Sequence, residues 1–327
     1  MSPKNTTLAI LLFVQLALVA LVYWPGGEKA APKAVFFNDI ALAQIQGLTI
    51  TDDAQNSISL TAHDGLWAIQ QGEYPANREA VEALLKKIIG LQSARLVTTT
   101  QASQIRLQVA DNVFARKVDL RLAEGSSKSF FLGTAPNSKS IHFRLAGQNE
   151  VYLVKDLASW EMQADKESWW DTNYVSVPED DLETVKITNP SGVLTLQRGE
   201  ENKWLLAETP DGQQVSPEEI ENFIGSVAKI SVAEYLTKEQ PENLGEPLCT
   251  IDYTSKSGQF SLTIWPADEE KDIHTAKASN KDFYVTIRAY LLKDVLEAQP
   301  SRFFVAPETP AENSATTGEE PKSSTEN

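Results

Sequence analysis

The chain is poor in several residue types that chemistry usually needs. Its 327 residues include one cysteine, two methionines and three histidines, and 45 acidic residues outnumber 29 basic ones. A lone cysteine excludes an intrachain disulfide and any metal site built on cysteine pairs. Cys249 sits in the alternating apolar stretch "PLCTIDY". That position suits a buried small hydrophobe, with a reactive thiol as the alternative. A formal charge of −16 without a basic stripe argues against nucleic acid and fits poorly with anionic lipid headgroups.

The scarce histidines lack partners. His63, His142 and His274 show no HxxH or HExxH spacing, and each lies near a turn or on an alternating strand, where a solvent-facing ring is expected. His63 and Asp64 are adjacent, and neighbours on a strand point to opposite faces, so no relay is expected. There is no GxSxG elbow. "GTAPNSKS", Gly133 to Ser140, resembles a phosphate loop at a glance. It has Ser138 where such loops need glycine, and a strand-like "IHFRLAG" follows, so a hairpin turn is expected. The acidic groups "PEDDLE" (178–183) and "DEEKD" (268–272) lack the alternation and central glycine of an EF-hand loop and read as solvated turns. No catalytic, cofactor-binding or metal-ligating residue is therefore singled out.

What is present is a long apolar run, a doubled phrase and a polar tail. Leu8 to Trp24, "LAILLFVQLALVALVYW", has no charge and one polar residue, Gln15. That is close to one bilayer thickness of helix, with Tyr23 and Trp24 at the interface and Pro25-Gly26-Gly27 as a stop. A cleaved signal peptide competes, but Ala31 is followed by Pro32, a poor mature start. An uncleaved signal anchor is expected, with a short cytoplasmic head and the body outside, in the periplasm of a two-membrane bacterium. From Pro307 the chain is acidic and has no aromatic or large aliphatic residue, so a disordered tail is expected.

The doubled phrase is "DGLWAIQQGEYPANREAVEALLKKI" (64–88) and "NKWLLAETPDGQQVSPEEIENFIGSVAKI" (202–230). Trp67 and Trp204 are 137 apart, as are Leu48 and Val185. Both regions read as two alternating strands followed by a helix. Asn77 and Ser216 are the N-cap candidates, with Pro217 at the first helical position. The apolar stripes Val81, Leu84, Leu85, Ile88 and Ile220, Phe223, Ile224, Val227 fall at i, i+3, i+4, i+7. Later strands match more loosely, through Tyr152 and Tyr284. The expected fold is α+β: an N-terminal transmembrane helix, then two tandem repeated units, each a mostly antiparallel sheet with an amphipathic helix. The divisions are a head at 1–6, anchor 7–24, linker 25–44, unit one 45–170, junction 171–184, unit two 185–305 and tail 306–327. "SWWD", Ser168 to Asp171, reads as a plug where the units meet, with an exposed docking patch as the alternative.

Trp67, Tyr74-Pro75-Ala76, the stripe through Leu91, Ala94-Arg95, Leu132-Gly133 and Tyr152-Leu153-Val154 carry a resemblance to the domain-of-unknown-function 4340 family. The resemblance covers about residues 45 to 305 and brings no catalytic residues. It implies, by association, that the chain is an extracytoplasmic partner of an ABC transporter of the gliding-motility type. The second copy departs from it: Gln213-Gln214-Val215 stands in place of Tyr-Pro-Ala. The expected function is a non-enzymatic, membrane-anchored extracytoplasmic binding or assembly module without a cofactor. An envelope spacer is the alternative, and after it a hydrolase using two carboxylates brought together in a concave pocket. No small-molecule ligand is named by the sequence.

Overall fold

The computed structural model describes residues 12–16, 33–71, 73–93, 95–268 and 270–305. Residues 12–16 are helical and exposed; the rest of the expected anchor and the expected tail lie outside the described residues. Among the described residues no helix is long and apolar enough to cross a membrane. The chain divides into two compact units, Met1–Asp171 and Thr172–Asn327.

Unit one is built on antiparallel strands β1 (Ile45–Asp52), β2 (Ser57–His63), β3 (Leu66–Ile69), β4 (Tyr74–Pro75), β5 (Leu96–Thr98), β6 (Arg116–Leu122), β7 (Ser127–Leu132), β8 (Ser140–Leu145) and β9 (Val151–Lys155). Their order across the sheet is β4-β3-β2-β1-β6-β7-β8-β9-β5. Register follows the apolar alternation: Leu48 faces Leu60 and Ile50 faces Ile58, all buried, so a one-residue slip would expose the whole set. Helix α1 (Arg78–Ile89) starts where the Asn77 side chain accepts the Ala80 amide at 3.0 Å. Val81, Leu84, Leu85 and Ile88 are buried, and the helix packs on β3, which carries Trp67. Four such side chains contribute on the order of 6–12 kcal/mol, most of it offset by ordering entropy. Part of the stretch expected as linker also enters this core: Phe36, Phe37 and Ile40 are buried, and Ala34–Val35 pairs with Gln92–Ser93.

Unit two holds β10 (Leu182–Asn189), β11 (Gly192–Arg198), β12 (Trp204–Leu206), β13 (Glu234–Tyr235), β14 (Cys249–Ser255), β15 (Gly258–Asp268), β16 (Ile273–Ala278) and β17 (Val285–Arg288). Their order is β12-β11-β10-β14-β15-β16-β17-β13. Element for element, this is the order of unit one with β4 left out. Helix α2 in unit one is short (Gln101–Arg106). Helix α3 (Pro217–Ala228) matches α1: Ser216 Oγ accepts the Glu219 amide at 3.3 Å, and Ile220, Phe223, Ile224 and Val227 are buried. It packs on β12, which carries the buried Trp204. Asn173–Ser176, within the expected junction, pairs with Lys229–Ser231 and so belongs to unit two. Helix α4 (Ala289–Leu296) ends against a buried side chain: Asn189 donates to the Val295 and Ala298 carbonyls, each at 2.9 Å.

Candidate functional site

The residues with the most reactive side chains turn out to be mostly structural. Contrary to the expectation of solvent-facing rings, His142 and His274 are buried, 9% and 5% exposed. His142 Nδ1 lies 2.6 Å from the Thr134 carbonyl oxygen, and His274 Nδ1 lies 2.8 Å from that of Trp265. Each ring therefore meets a carbonyl close to where a neighbouring strand ends or bulges. His63 is exposed, but its Nδ1 does meet Asp64 Oδ2, at 3.0 Å. The strand has already ended there: Asp64 has φ 49, and that left-handed turn swings the carboxylate back towards the ring. With both side chains about nine-tenths exposed, the contact is a solvated surface pair.

Cys249 is buried, and burial pushes its thiol up to about 12, so it is protonated and unreactive at neutral pH. "GTAPNSKS" connects the antiparallel strands β7 and β8, with Asn137 Oδ1 accepting from the Lys139 amide and the Ser140 hydroxyl. The acidic stretch 178–183 forms a 3-10 turn, Glu179–Asp181, leading into β10, and 268–272 spans the β15–β16 hairpin. Among the described residues, no group of three or more His, Cys, Asp or Glu side chains converges as a metal site would need. None of five cavities among them is lined by more than one carboxylate.

"SWWD" is not an exposed patch. Trp169 and Trp170 are 4% and 6% exposed, and both pack within unit one. The Asn77 amide donates to the Trp169 carbonyl at 2.7 Å, the Asp171 amide donates to Pro75 at 2.8 Å, and Trp170 bridges Ala76. The two tryptophans thus extend the sheet past β4 and fasten the entry to α1. Unit two has the same clasp in other residues: Ser216 donates to Phe303 at 2.9 Å, Val305 to Gln214 at 2.8 Å, and Val215 bridges Phe304. The Phe303-Phe304 half was missed in the sequence because "RFFV" shares no residue with "SWWD". A bulky aromatic pair closing each unit was the only available signal.

A cavity in unit one was also missed. It has a volume of about 660 Å³, and five cations line it, Lys33, Lys86, Lys87, Arg95 and Lys155, against the single carboxylate of Asp156. The cations come from four segments up to 122 positions apart, so no basic stripe shows in the linear sequence. Lys86 and Lys87 occupy the last turn of α1, where cations favour the carbonyl end of a helix. Lys87 pairs with Glu161, and Lys86 stands 4.0 Å from Glu82. Lys33, Arg95 and Lys155 have no carboxylate at ion-pair distance among the described residues. Hydrogen bonds tie the segments that carry two of them: the Leu153 amide donates to the Arg95 carbonyl at 3.1 Å, and Ser93 Oγ donates to the Leu153 carbonyl at 2.6 Å.

A family model described as domain of unknown function (DUF4340) matches residues 67–247, more than half of the chain. The chain belongs to the DUF4340 family. The matched stretch begins at Trp67 on β3 and contains α1, Arg95 of the basic cavity and the Trp169-Trp170 clasp. No curated protein and no solved structure matches this DUF4340 chain.

Proposed function

We propose that the protein is a non-enzymatic, membrane-anchored extracytoplasmic binding or assembly module, an accessory of an ABC transporter complex. The observation that carries the reading is the uncharged run Leu8–Trp24, which ends on an aromatic pair and Pro-Gly-Gly and precedes all of the α+β body. The short head stays in the cytoplasm, and the body lies in the periplasm or outside. The two units are tandem copies of one unit. This part of the reading is supported by the shared strand order, the equivalent N-caps Asn77 and Ser216, and the matching clasps at Trp169 and Phe303. The link to a transporter rests on the association that the family resemblance carries.

Affinity purification of the full chain from detergent-solubilised membranes tests the proposal. Reproducible recovery of transporter subunits is the expected result; repeated recovery of the chain alone would sink it. A cytoplasm-only reporter fused after Asn327 checks the placement, and reporter activity there would overturn it.

A further inference from the structure

We infer that the basic cavity of unit one is a binding site for a phosphate group carrying net negative charge. The cavity holds five cations and one carboxylate in a chain whose formal charge is −16. Such a concentration of one sign, against the balance of the molecule, raises the local potential and draws anions towards it.

Two of the five cations have a structural account. Lys86 and Lys87 offset the carbonyl end of α1 and have carboxylates of their own. Lys33, Arg95 and Lys155 have neither. They come from the lead-in to the first paired strand, the connection before β5 and the last position of β9, and they converge on one concavity. Like charges brought together repel, so folding alone would not favour the cluster.

Unit two provides an internal comparison. Aligning the helices on Asn77 and Ser216 places Gly225 and Ser226 where unit one has Lys86 and Lys87. The strand that takes the place of β5 opens on Glu234, where Arg95 precedes Leu96 in unit one. The same strand order and helix therefore form without cations at the positions of Lys86, Lys87 and Arg95, so charge at those three is not a requirement of the fold; the strand that matches β9 does end on a cation, Arg288. The lining completes the chemistry: Leu91 is buried and apolar, Ser93 is held by backbone contacts, and the guanidinium of the exposed Arg95 suits two phosphate oxygens at once. Phosphate of this kind has two sources, a soluble phosphate or an anionic lipid headgroup. The site stands in unit one whether or not the amino-terminal run is an anchor.

The test is isothermal titration of the full chain in a neutral detergent. The probes are inorganic pyrophosphate, dihexanoyl phosphatidylglycerol and dihexanoyl phosphatidylcholine. Binding of pyrophosphate or of the glycerol lipid is expected, weakening with added salt. The double variant Arg95→Glu/Lys155→Glu should lose about tenfold or more in affinity. Arg95→Gln/Lys155→Gln should lose less, which separates charge from bulk. Lys139→Glu/Lys186→Glu makes the same change of net charge at exposed sites outside the cavity and should leave affinity within about twofold. Binding of only one anionic probe identifies the source. No binding of either anionic probe, equal binding of the phosphatidylcholine, or an equal loss in the control variant would each overturn the assignment. Co-purification of a transporter partner can succeed or fail independently of these results.

Discussion

Gly133 lies so close to Leu107 that a Cβ at Gly133 would stand 1.9 Å from the Leu107 carbonyl oxygen. That oxygen already accepts the Thr134 amide at 2.9 Å, so the two backbones are pinned together. Gly133 has no left-handed conformation to explain it; the close approach alone demands glycine. Gly133→Ala is expected to cost on the order of 1–3 kcal/mol, as forced backbone shifts in packed cores do. Urea unfolding measures this, and an unchanged midpoint would refute the contact.

The clasps give a paired prediction. Trp169 is buried and its indole Nε1 donates to the Gln163 carbonyl at 2.8 Å; Phe303 is fully buried against Phe223 of α3. Trp169→Ala and Phe303→Ala should each destabilise the chain by about 3–5 kcal/mol. Scanning calorimetry reads the effect, and an unshifted Tm would restore the reading of SWWD as an exposed patch.

Asn189 serves two carbonyls at the end of α4 with one amide group. Asn189→Ala leaves Val295 and Ala298 oxygens without that donor in a buried place. The expected loss is about 1–3 kcal/mol. Hydrogen exchange should show it first in the last turn of α4; protection there equal to wild type would contradict the capping role.

Alkali should act through three buried groups, Cys249, Tyr174 and Tyr253, the last pushed up the furthest by burial. Burial pushes the Cys249 thiol up to about 12, and burial also pushes the Tyr174 hydroxyl up to about 12. A raised folded pKa contributes stability that is fully present below the unfolded value and lost as pH rises through the folded one. The loss should therefore begin at about pH 9–10, where an unfolded thiol and phenol ionise; the Cys249 and Tyr174 parts should be complete near 12, with the Tyr253 part continuing above it. Cys249→Ala should flatten part of that slope in denaturant titrations. In the native chain at neutral pH, a thiol reagent should label Cys249 only at the rate of unfolding.

The sequence made the helices and their partners legible because those signals are local. A 3.6-residue stripe and an N-cap four residues before it are visible in one reading of "NREAVEALLKKI", and both helices form where those signals lie. The order of the sheets was not legible in this way: β1 lies beside β6 and β9 beside β5, pairings of distant segments that alternation and turn positions leave open. Other features depend on where distant segments meet. Arg95 and Lys155 become neighbours only when β5 pairs with β9, and the partner of Ser216 lies at the far end of its unit. His142 and His274 were misjudged for a related reason. Alternation gives a strand two faces but does not tell whether the second is also covered, and around His142 it is: Ser140 through Arg144 are all buried. His63 is exposed as expected; only the separation of its ring from Asp64 was misjudged, because Asp64 had already left strand geometry in the Asp-Gly turn.

The clasps also govern the order in which the molecule can be completed. In each unit the partner of the residue that starts the helix lies some ninety positions downstream, at Trp169 for Asn77 and at Phe303 for Ser216. A chain emerging from the ribosome at about 5–20 residues per second would expose α1 or α3 for several seconds before its aromatic pair arrives. Until then the helix has its own cap but an unfinished sheet edge beside it, the kind of surface that pairs with other chains. Each unit therefore closes last at its aromatic pair, and synthesis halted between Lys155 and Trp169, or between Arg288 and Phe303, leaves a product with every strand of the sheet but not its closure.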